Sequence, residues 1–562
     1  MFIQEETITI LNFLLLAYTD LFNSRSYDFV GTTTDPKHLV VKSYNRDTKD
    51  FKEIYRYPHK DNIHIVIPAN FDGQKNVSLL LVTKISENEY KNAVLFPDNN
   101  EVVHLPQTTA APLLYTQNLS LKPVLLLQIS DKLYEFEFSK DKKFTQKKIA
   151  DLLEKDEKLH KDHTSSMVDL DGDHKSDLVL VVDKKGIKTL KVFKNTENGF
   201  SSYFEMALPD TTGPLVFNDF NRNNMNDMAF VSFENGTYYL NLFYNTNKRE
   251  DPLSYKSGSK DLKLTNLNEN IFSNEDKFYL KQNLSSLIKD DLAFKLTCEM
   301  LNNVPSGIFD TDIDLDTNIE LFLVAKKNNV GDTLIPLRFD PETEQFVIYK
   351  EMKFLMDETN VLSFSTADYK NEGRELCVIN KVSDGKPQVK IYPNVLKPEN
   401  MKLSVTTVVD ESKTWYGCGV YGTSYLLCYD EGANMSISSS SVPGSFLHLK
   451  NQTTTFGLGG HTYQINSLRV TVPSYGDYNK TYVVKYDIIQ NLDLIIGVGK
   501  HGVYNIRAFV ISKIYIAKLL ITAAIVLAVH LIINGILQLR HAKKRKEART
   551  RDSMQPLFRS LG

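Results

Sequence analysis

Apolar residues along most of this chain fall in short, unbroken runs and not at helical spacing. Examples are "SLLLV" from 78, "DLVLVV" from 177, "DMAFV" from 227 and "ELFLV" from 320. Such continuous runs, rich in β-branched residues, predict buried strands and not amphipathic helices. Each follows a polar cluster rich in Asp and Asn, and "MVDLDGDHKSDLVLVV" at 167–182 is the densest. Clusters begin at 20, 70, 169, 219, 312 and 368, separated by one or two periods of roughly fifty residues, the range of blade-type repeats. Intervening copies are expected near 118, within "YTQNLSLKPVLLLQI", and near 265; both have lost their acidic residues. Short strands at this period predict an all-β fold built on a propeller of about seven blades, with the six clusters on one side of it.

The clusters carry the candidate chemistry. Asp169, Asp171, Asp173 and Asp177 repel one another unless a cation sits among them, and oxygen ligands this hard suit Ca²⁺ first. An EF-hand is excluded, because positions six and twelve of the loop are His174 and Leu180 where Gly and Glu are needed. The expected ligand set is those four side chains plus the Lys175 backbone carbonyl, with Gly172 permitting the bend. Two further loops repeat the arrangement: Asp219, Asn221, Asn223 and Asp227, then Asp312, Asp314, Asp316 and Glu320. Carboxylate count ranks their expected calcium affinity as 169, then 312, then 219. At 20, 70 and 368 ordinary Asp/Asn turns are the expectation. The copy from Asp368 is one residue short and has Lys370 where a ligand would stand.

These loops resemble the FG-GAP repeats of integrin α-subunits, whose calcium loops read D-x-D/N-x-D/N-x-x-x-D before a hydrophobic strand. Asp169 to Asp177 match in full, the second loop is Asn-substituted and the third ends in Glu. The resemblance implies a structural role for calcium, holding blades rigid.

After the repeats, "MKLSVTTVV", "SLRVTVPSY" and "KTYVVKYDII" alternate as strands of a separate domain. Then "LLITAAIVLAVHLIINGILQL", residues 519–539, is long enough to span a bilayer. The expected order is a propeller over 20–395, a β-sandwich-like membrane-proximal domain over 396–510, a transmembrane helix over 514–539 and a basic tail over 540–562. Net charge is only −3, but the tail carries eight Lys and Arg against two acids, or +6. That excess predicts a cytosolic C-terminus and a type I topology, with the tail available to a cytosolic partner. The remaining body is acidic, which argues against nucleic-acid binding. Seven glycosylation sequons, Asn76, Asn118, Asn235, Asn283, Asn434, Asn451 and Asn479, all precede the span. Cys418 and Cys428 are spaced to close a hairpin by a disulfide, whereas Cys298 and Cys377 read as buried thiols. Residues 1–19 include "ITILNFLLLAYT", which reads either as an atypical signal peptide, given Glu5 and Glu6, or as a first propeller strand with the start of the protein upstream.

The membrane-proximal stretch "SVPGSFLHLKNQTTTFGLGGHTYQINSLRVTVP" resembles the T-cell immunomodulatory protein/Linkin family, through Ser445, Phe446, Leu447, Leu449, Thr455, Phe456, Gly457, Leu458 and Gly459. The order of parts along the whole chain matches that family as well. The resemblance implies a single-pass glycoprotein of cell adhesion that binds a protein ligand on its propeller face. The alternative is a secretory-pathway membrane protein that assists assembly or trafficking of others. No G-x-S-x-G, H-E-x-x-H, P-loop or C-x-x-C occurs, so no enzymatic activity is expected, and His104, His163 and His174 are expected as solvent-exposed turn residues. Protease added outside sealed vesicles should trim only a few kilodaltons from the C-terminus; digestion of the body from the cytosolic side would refute the topology.

Overall fold

The computed structural model describes residues 7–559 except for short turns, single positions such as His174, and longer stretches at 117–122, 248–270, 295–306, 394–399, 410–418, 440–448 and 473–481. It is mostly β, with one long helix at the C-terminal end. Residues 1–509 form one compact unit and 510–562 a second.

Within the first unit, seven antiparallel sheets follow one another along the chain. The first comprises Leu14–Thr19, Asp28–Thr32, His38–Asn45 and Asp50–Pro58, paired in that order. The fourth contains Ser166–Val168, Asp177–Lys184, Ile187–Thr196 and Gly199–Ala207; the sixth contains Ile308–Thr311, Glu320–Lys327, Gly331–Asp340 and Gln345–Ile348. The apolar runs are the second strands of their sheets, buried on both faces: Asp177–Lys184 and Glu320–Lys327 each have six buried residues in succession. Outer strands such as Phe144–Lys148 are mostly exposed and polar. Burial decreasing from first to last strand explains why the inner strands read as continuous hydrophobic runs, without alternation.

The period expected from sequence holds, with one correction. Every acidic cluster joins the first strand of a sheet to its second, so all six occupy the same end of equivalent hairpins. The copy near 118 occupies that position in the third sheet, though 117–122 lie outside the described residues. The copy expected near 265 falls outside the described residues, among which no further sheet lies between the fifth and the sixth. The fifth sheet takes a long connection between Thr237–Phe243 and its last strand, Tyr279–Asn283, which stretches the interval before 312. An insertion in one repeat looks, by spacing alone, like a lost copy.

Residues 8–19 contribute to two sheets. Ile8–Leu11 pairs with Lys386–Tyr392 of the seventh sheet, and Leu14–Thr19 opens the first. A bulge between Leu15 and Ala17 leaves Leu16 without a register partner, while Leu15 stays paired with Gly31. Buried Asn380 of the seventh sheet meets the Leu15 main chain: its Oδ1 accepts from Leu15 N at 3.0 Å, and its Nδ2 donates to Leu15 O at 3.1 Å. Tyr18 Oη and Ser365 Oγ, 2.7 Å apart, join the inner strands of the same two sheets. Other neighbours are linked in the same way, by Asn92 to Thr108, His163 to Ala111, Leu215 to Thr164 and Gln282 to Phe346.

Two more four-stranded sheets follow. One orders Thr454–Gly459, Met401–Val409, Leu492–Gly499 and Gly502–Val510, with the middle pair parallel; the other orders Asn434–Ser439, Ser424–Tyr429, Ile465–Thr471 and Tyr482–Val484. They share a core of Leu403, Val405, Tyr425, Leu468, Ile496 and others. In the second unit, the helix Lys513–Arg559 is unbroken, and Leu520–Thr550 within it contains an apolar stretch long enough to make it a candidate membrane span. The helix therefore continues through the expected tail boundary at 540.

Replacing Asn380 with Ala leaves the Leu15 amide and carbonyl buried without their partner, which should cost about 3 kcal/mol. Denaturant unfolding of the variant checks this, with a Ser365→Ala control losing about 1 kcal/mol.

Candidate functional site

In the loop at 169, tight turning comes from side chains binding the main chain. Asp169 Oδ1 accepts from Gly172 N (2.8 Å), Asp171 Oδ1 from Asp173 N (3.0 Å) and Asp173 Oδ1 from Lys175 N (2.8 Å). Gly172 sits at φ 78°, a left-handed position that favours glycine. Asp177 closes the loop, its Oδ2 accepting from Leu170 N at 3.1 Å and its Oδ1 from Asn195 N at 3.1 Å. Asp169, Asp171 and Asp177 are fully buried, and one oxygen from each lies within 4.8 Å of the others.

Asp312, Asp314 and Asp316 form a second such group. There Asp312 accepts from Asp316 N (3.0 Å) and Thr317 N (2.8 Å), Glu320 Oε2 accepts from Ile313 N (3.0 Å), and Tyr349 donates to Asp314 at 2.8 Å. Glu320 is fully buried, yet its Oε1 accepts no hydrogen bond among the described residues. The loop at 219 differs. Asn221 and Asn223 are exposed and their side-chain oxygens accept main-chain N–H groups, with Asp219 and Asp227 its only carboxylates. It has the makings of an Asx turn more than of an ion site.

Three cationic partners were not found by sequence reasoning. Lys194 pairs with Asp171 and lies 3.9 Å from Asp173. Arg338 pairs with Asp316 and lies 3.7 Å from Asp314 and 3.9 Å from Glu320. Both stand on the third strand of their sheets beside the closing carboxylate; Arg338 is the direct register partner of Glu320. Lys402, buried, comes from a different sheet and lies 3.1 Å from Asp368 and 3.8 Å from Glu375. Glu375 is the closing carboxylate of the short copy, and its place directly before "LCVI" was the available signal.

One cation does not balance these loops. Burial, then Asp171 and Asp169, push the Asp173 carboxyl up to about 8, and burial with neighbouring carboxylates raises Asp177, Asp312 and Glu320 well above the usual carboxylate range. The donor set fits a hard cation: three carboxylates converging in each loop and, at 312, a buried oxygen with no donor. Asp169, Asp171, Asp173 and Asp177 would hold one ion, and Asp312, Asp314, Asp316 and Glu320 another. The backbone carbonyl of Lys175, expected as a ligand, carries no assignment from the structure; Lys175 Nζ lies 4.0 Å from Asp173. A third acidic group, Glu154, Glu157 and Glu205, is already matched by Lys184 and Lys191.

Other expected sites divide. Asn235 and Asn283 are exposed, and Asn76 donates to Asp98; Asn434 lies on a strand, and Asn118, Asn451 and Asn479 lie outside the described residues. Cys428 is buried on Ser424–Tyr429, while Cys418 lies outside the described residues. Cys377 is a buried free thiol, pushed up to about 12 by burial. His104 is exposed, but His163 is buried, with a ring nitrogen 2.8 Å from Ala111 O, because it bridges the third and fourth sheets.

No family model matches this chain, and no curated protein does either. Among solved structures it is similar to the periplasmic gluconolactonase PpgL of Pseudomonas aeruginosa, at 11% identity and TM-score 0.34, covering 68% of this chain and 99% of that one. It is also similar to a putative 6-phosphogluconolactonase of Bacteroides fragilis, at 11% identity and TM-score 0.32, covering 70% and 95%. The expectation of no enzymatic activity is corrected by this finding: the similar structures carry the names of enzymes, so missing hydrolase and nucleotide motifs do not set this chain apart from enzymes. At these scores the likeness carries no argument about a reaction.

The raised carboxyls fix the sign of the pH dependence. Asp173 binds its proton near 8 when folded and near its ordinary 3.8 when unfolded, so the folded state holds more protons across that interval. In chelator, stability should therefore fall as pH rises from about 4 to 8, and calcium should raise the melting temperature by several degrees more at pH 8 than at pH 5. Thermal unfolding at both pH values with and without calcium checks it.

Proposed function

We propose that the seven sheets close as a seven-bladed propeller stabilised by calcium, forming the lumenal or extracellular body of a single-pass membrane glycoprotein that recognises a protein ligand in adhesion. The observation that carries this reading is the recurrence of one acidic hairpin loop at the same end of six of the seven successive sheets, with three converging carboxylates in two of them. The first strand, Ile8–Leu11, completing the last sheet supports closure, since a ring that shares its final sheet between both chain ends has no free edge. The helix containing Leu520–Thr550 supports membrane attachment, and the basic residues from Arg540 onward favour a cytosolic C-terminus. Resemblance to the T-cell immunomodulatory protein/Linkin family supplies the adhesion role.

Bound calcium would supply charge neutralisation among the carboxylates. The chain's own part is to hold those oxygens in place: main-chain N–H groups of Leu170 and Ile313 orient the closing carboxylates, and Lys194 and Arg338 balance part of the remaining charge. The acidic-loop end is partly covered by the two later sheets, through Tyr27 to Thr453, Ser176 to Ser424 and Asn400 to Asp314. The opposite end is therefore the face proposed for the protein ligand.

Chelation should lower the melting temperature of the wild-type protein, and Asp171→Ala with Asp173→Ala should bring the value in calcium towards that in chelator. An unchanged wild-type melting temperature on chelation would mark the loops as ordinary acidic turns. Surface labelling of intact cells should tag the body; labelling only after permeabilisation would favour the secretory-pathway role.

A further inference from the structure

Two of the acidic loops are gripped by one sheet of the later β-region. The strand Thr454–Gly459 runs across the loop at 312 with no space between them. A Cβ added at Gly457 would overlap Asp312 Oδ2 and the Leu315 main chain. Gly459 N donates to Leu315 O at 2.8 Å, and Asn400 Nδ2 donates to Asp314 O at 2.6 Å. Gly457 of "FGLGG" thus serves a close approach between two backbones, and Gly459 takes a left-handed φ of 67°.

The neighbouring loop at 368 is met differently. Lys402, on Met401–Val409 of the same sheet, brings its ammonium between Asp368 and Glu375, and Thr455 donates to Glu375 at 3.2 Å. This loop is one residue short, with Lys370 where a ligand would stand, and the sheet brings its own cation to it. The lysine is tethered and permanent. Its charge reaches the loop at 368 only while the sheet is seated.

The loop at 312 has no such tethered partner from the sheet. What the sheet reads there is main-chain shape: the Asp314 and Leu315 carbonyls must point outward. That shape places Leu315 at φ 59° and Thr317 at φ 77°, left-handed positions that non-glycine residues, and β-branched Thr above all, adopt at a cost. Ligation of Asp312, Asp314, Asp316 and Glu320 to one ion would hold the loop in that form. Without the ion, repulsion and backbone strain both favour its relaxation, and the two hydrogen bonds to the sheet go with it.

We propose that calcium at the loop of 312 and seating of the sheet containing Met401–Val409 and Thr454–Gly459 are coupled, so that the membrane-proximal region senses calcium, while Lys402 provides a calcium-independent anchor at 368. This rests on the calcium reading above. Coupling is reciprocal: whatever calcium does for seating, seating does for calcium affinity.

Hydrogen exchange on the full chain in nanodiscs tests it, with calcium as the probe ligand. Calcium should slow exchange of amides in 454–459 by about tenfold or more, and Lys402→Met should raise exchange there even in chelator. Asn400→Ala, a mild change, and Gly457→Val should weaken calcium binding at the 312 site by about tenfold, in the usual range of allosteric coupling. Calcium binding to the loop at 169 should be unchanged, and serves as the check that each variant is folded. Variants in which 169 still binds calcium, the 312 site keeps wild-type affinity and exchange in 454–459 ignores calcium would overturn the coupling and leave the calcium reading intact. Absence of any calcium binding to the wild type would refute both together.

Discussion

One hydrogen bond recurs through the molecule, and the placement of the acidic loops depends on it. In four loops, the carboxylate that opens a sheet's second strand accepts the main-chain N–H of the residue seven positions earlier: Asp28 from Leu21, Asp177 from Leu170, Asp227 from Phe220 and Glu320 from Ile313. The donor residue is apolar and buried each time, as are Phe71 and Tyr369 at the matching positions of two other loops. Burying that side chain inserts the loop into the body, and the charged acceptor satisfies the amide that burial would otherwise strand. A neutral acceptor would hold the turn less firmly, and a longer or shorter spacing would miss the amide.

Insertion has an electrostatic consequence. Carboxylates placed largely out of reach of water raise one another's affinity for protons, as at buried Asp177, Asp312 and Glu320 and at part-buried Asp173. The molecule meets this in two ways. At 169 and 312 a strand partner, Lys194 or Arg338, offsets part of the charge and leaves converging oxygens for an ion. At 368 a buried lysine from outside the repeats takes the position of the cation. Burial alone would depress that lysine, but Asp368, Glu375 and Asp493 together raise it, so it stays charged. The converging carboxylates, the Asn-substituted turn and the lysine-filled loop differ in which residues stand between the opening and closing carboxylates.

The same loops give the later sheets something to bind. A cavity of about 160 Å³ lies between inner strands of the body and this covering region, with Asp310, Asp312, Glu375, Asn218 and Thr455 in its wall. It carries acidic and neutral polar groups where the two parts meet. Contacts at the junction combine main-chain carbonyls, hydroxyls and one ammonium with apolar packing of Tyr421 and Leu449 against the body, and the polar part makes the junction sensitive to loop geometry.

Local sequence by itself determined the strands, the repeat and the acidic loops. Short continuous apolar runs rich in β-branched residues, each preceded by an Asp/Asn cluster, read as buried strands after tight turns, since both signals act within a few residues. It also determined the apolar span at 519–539, whereas the helix that contains it runs on to Arg559. Only the tertiary structure decided which cation faces each loop. Arg338 reaches Glu320 through strand register, eighteen residues along the chain, and Lys402 reaches Asp368 from beyond the last repeat. It also decided that residues 8–11 belong to the last sheet, that the interval before 312 is an insertion within one repeat, and that His163 is buried. The reason is common to all of these. Pairing between distant strands depends on which edges meet when the sheets pack, and nothing in the residues around any one of these positions encodes its distant neighbour.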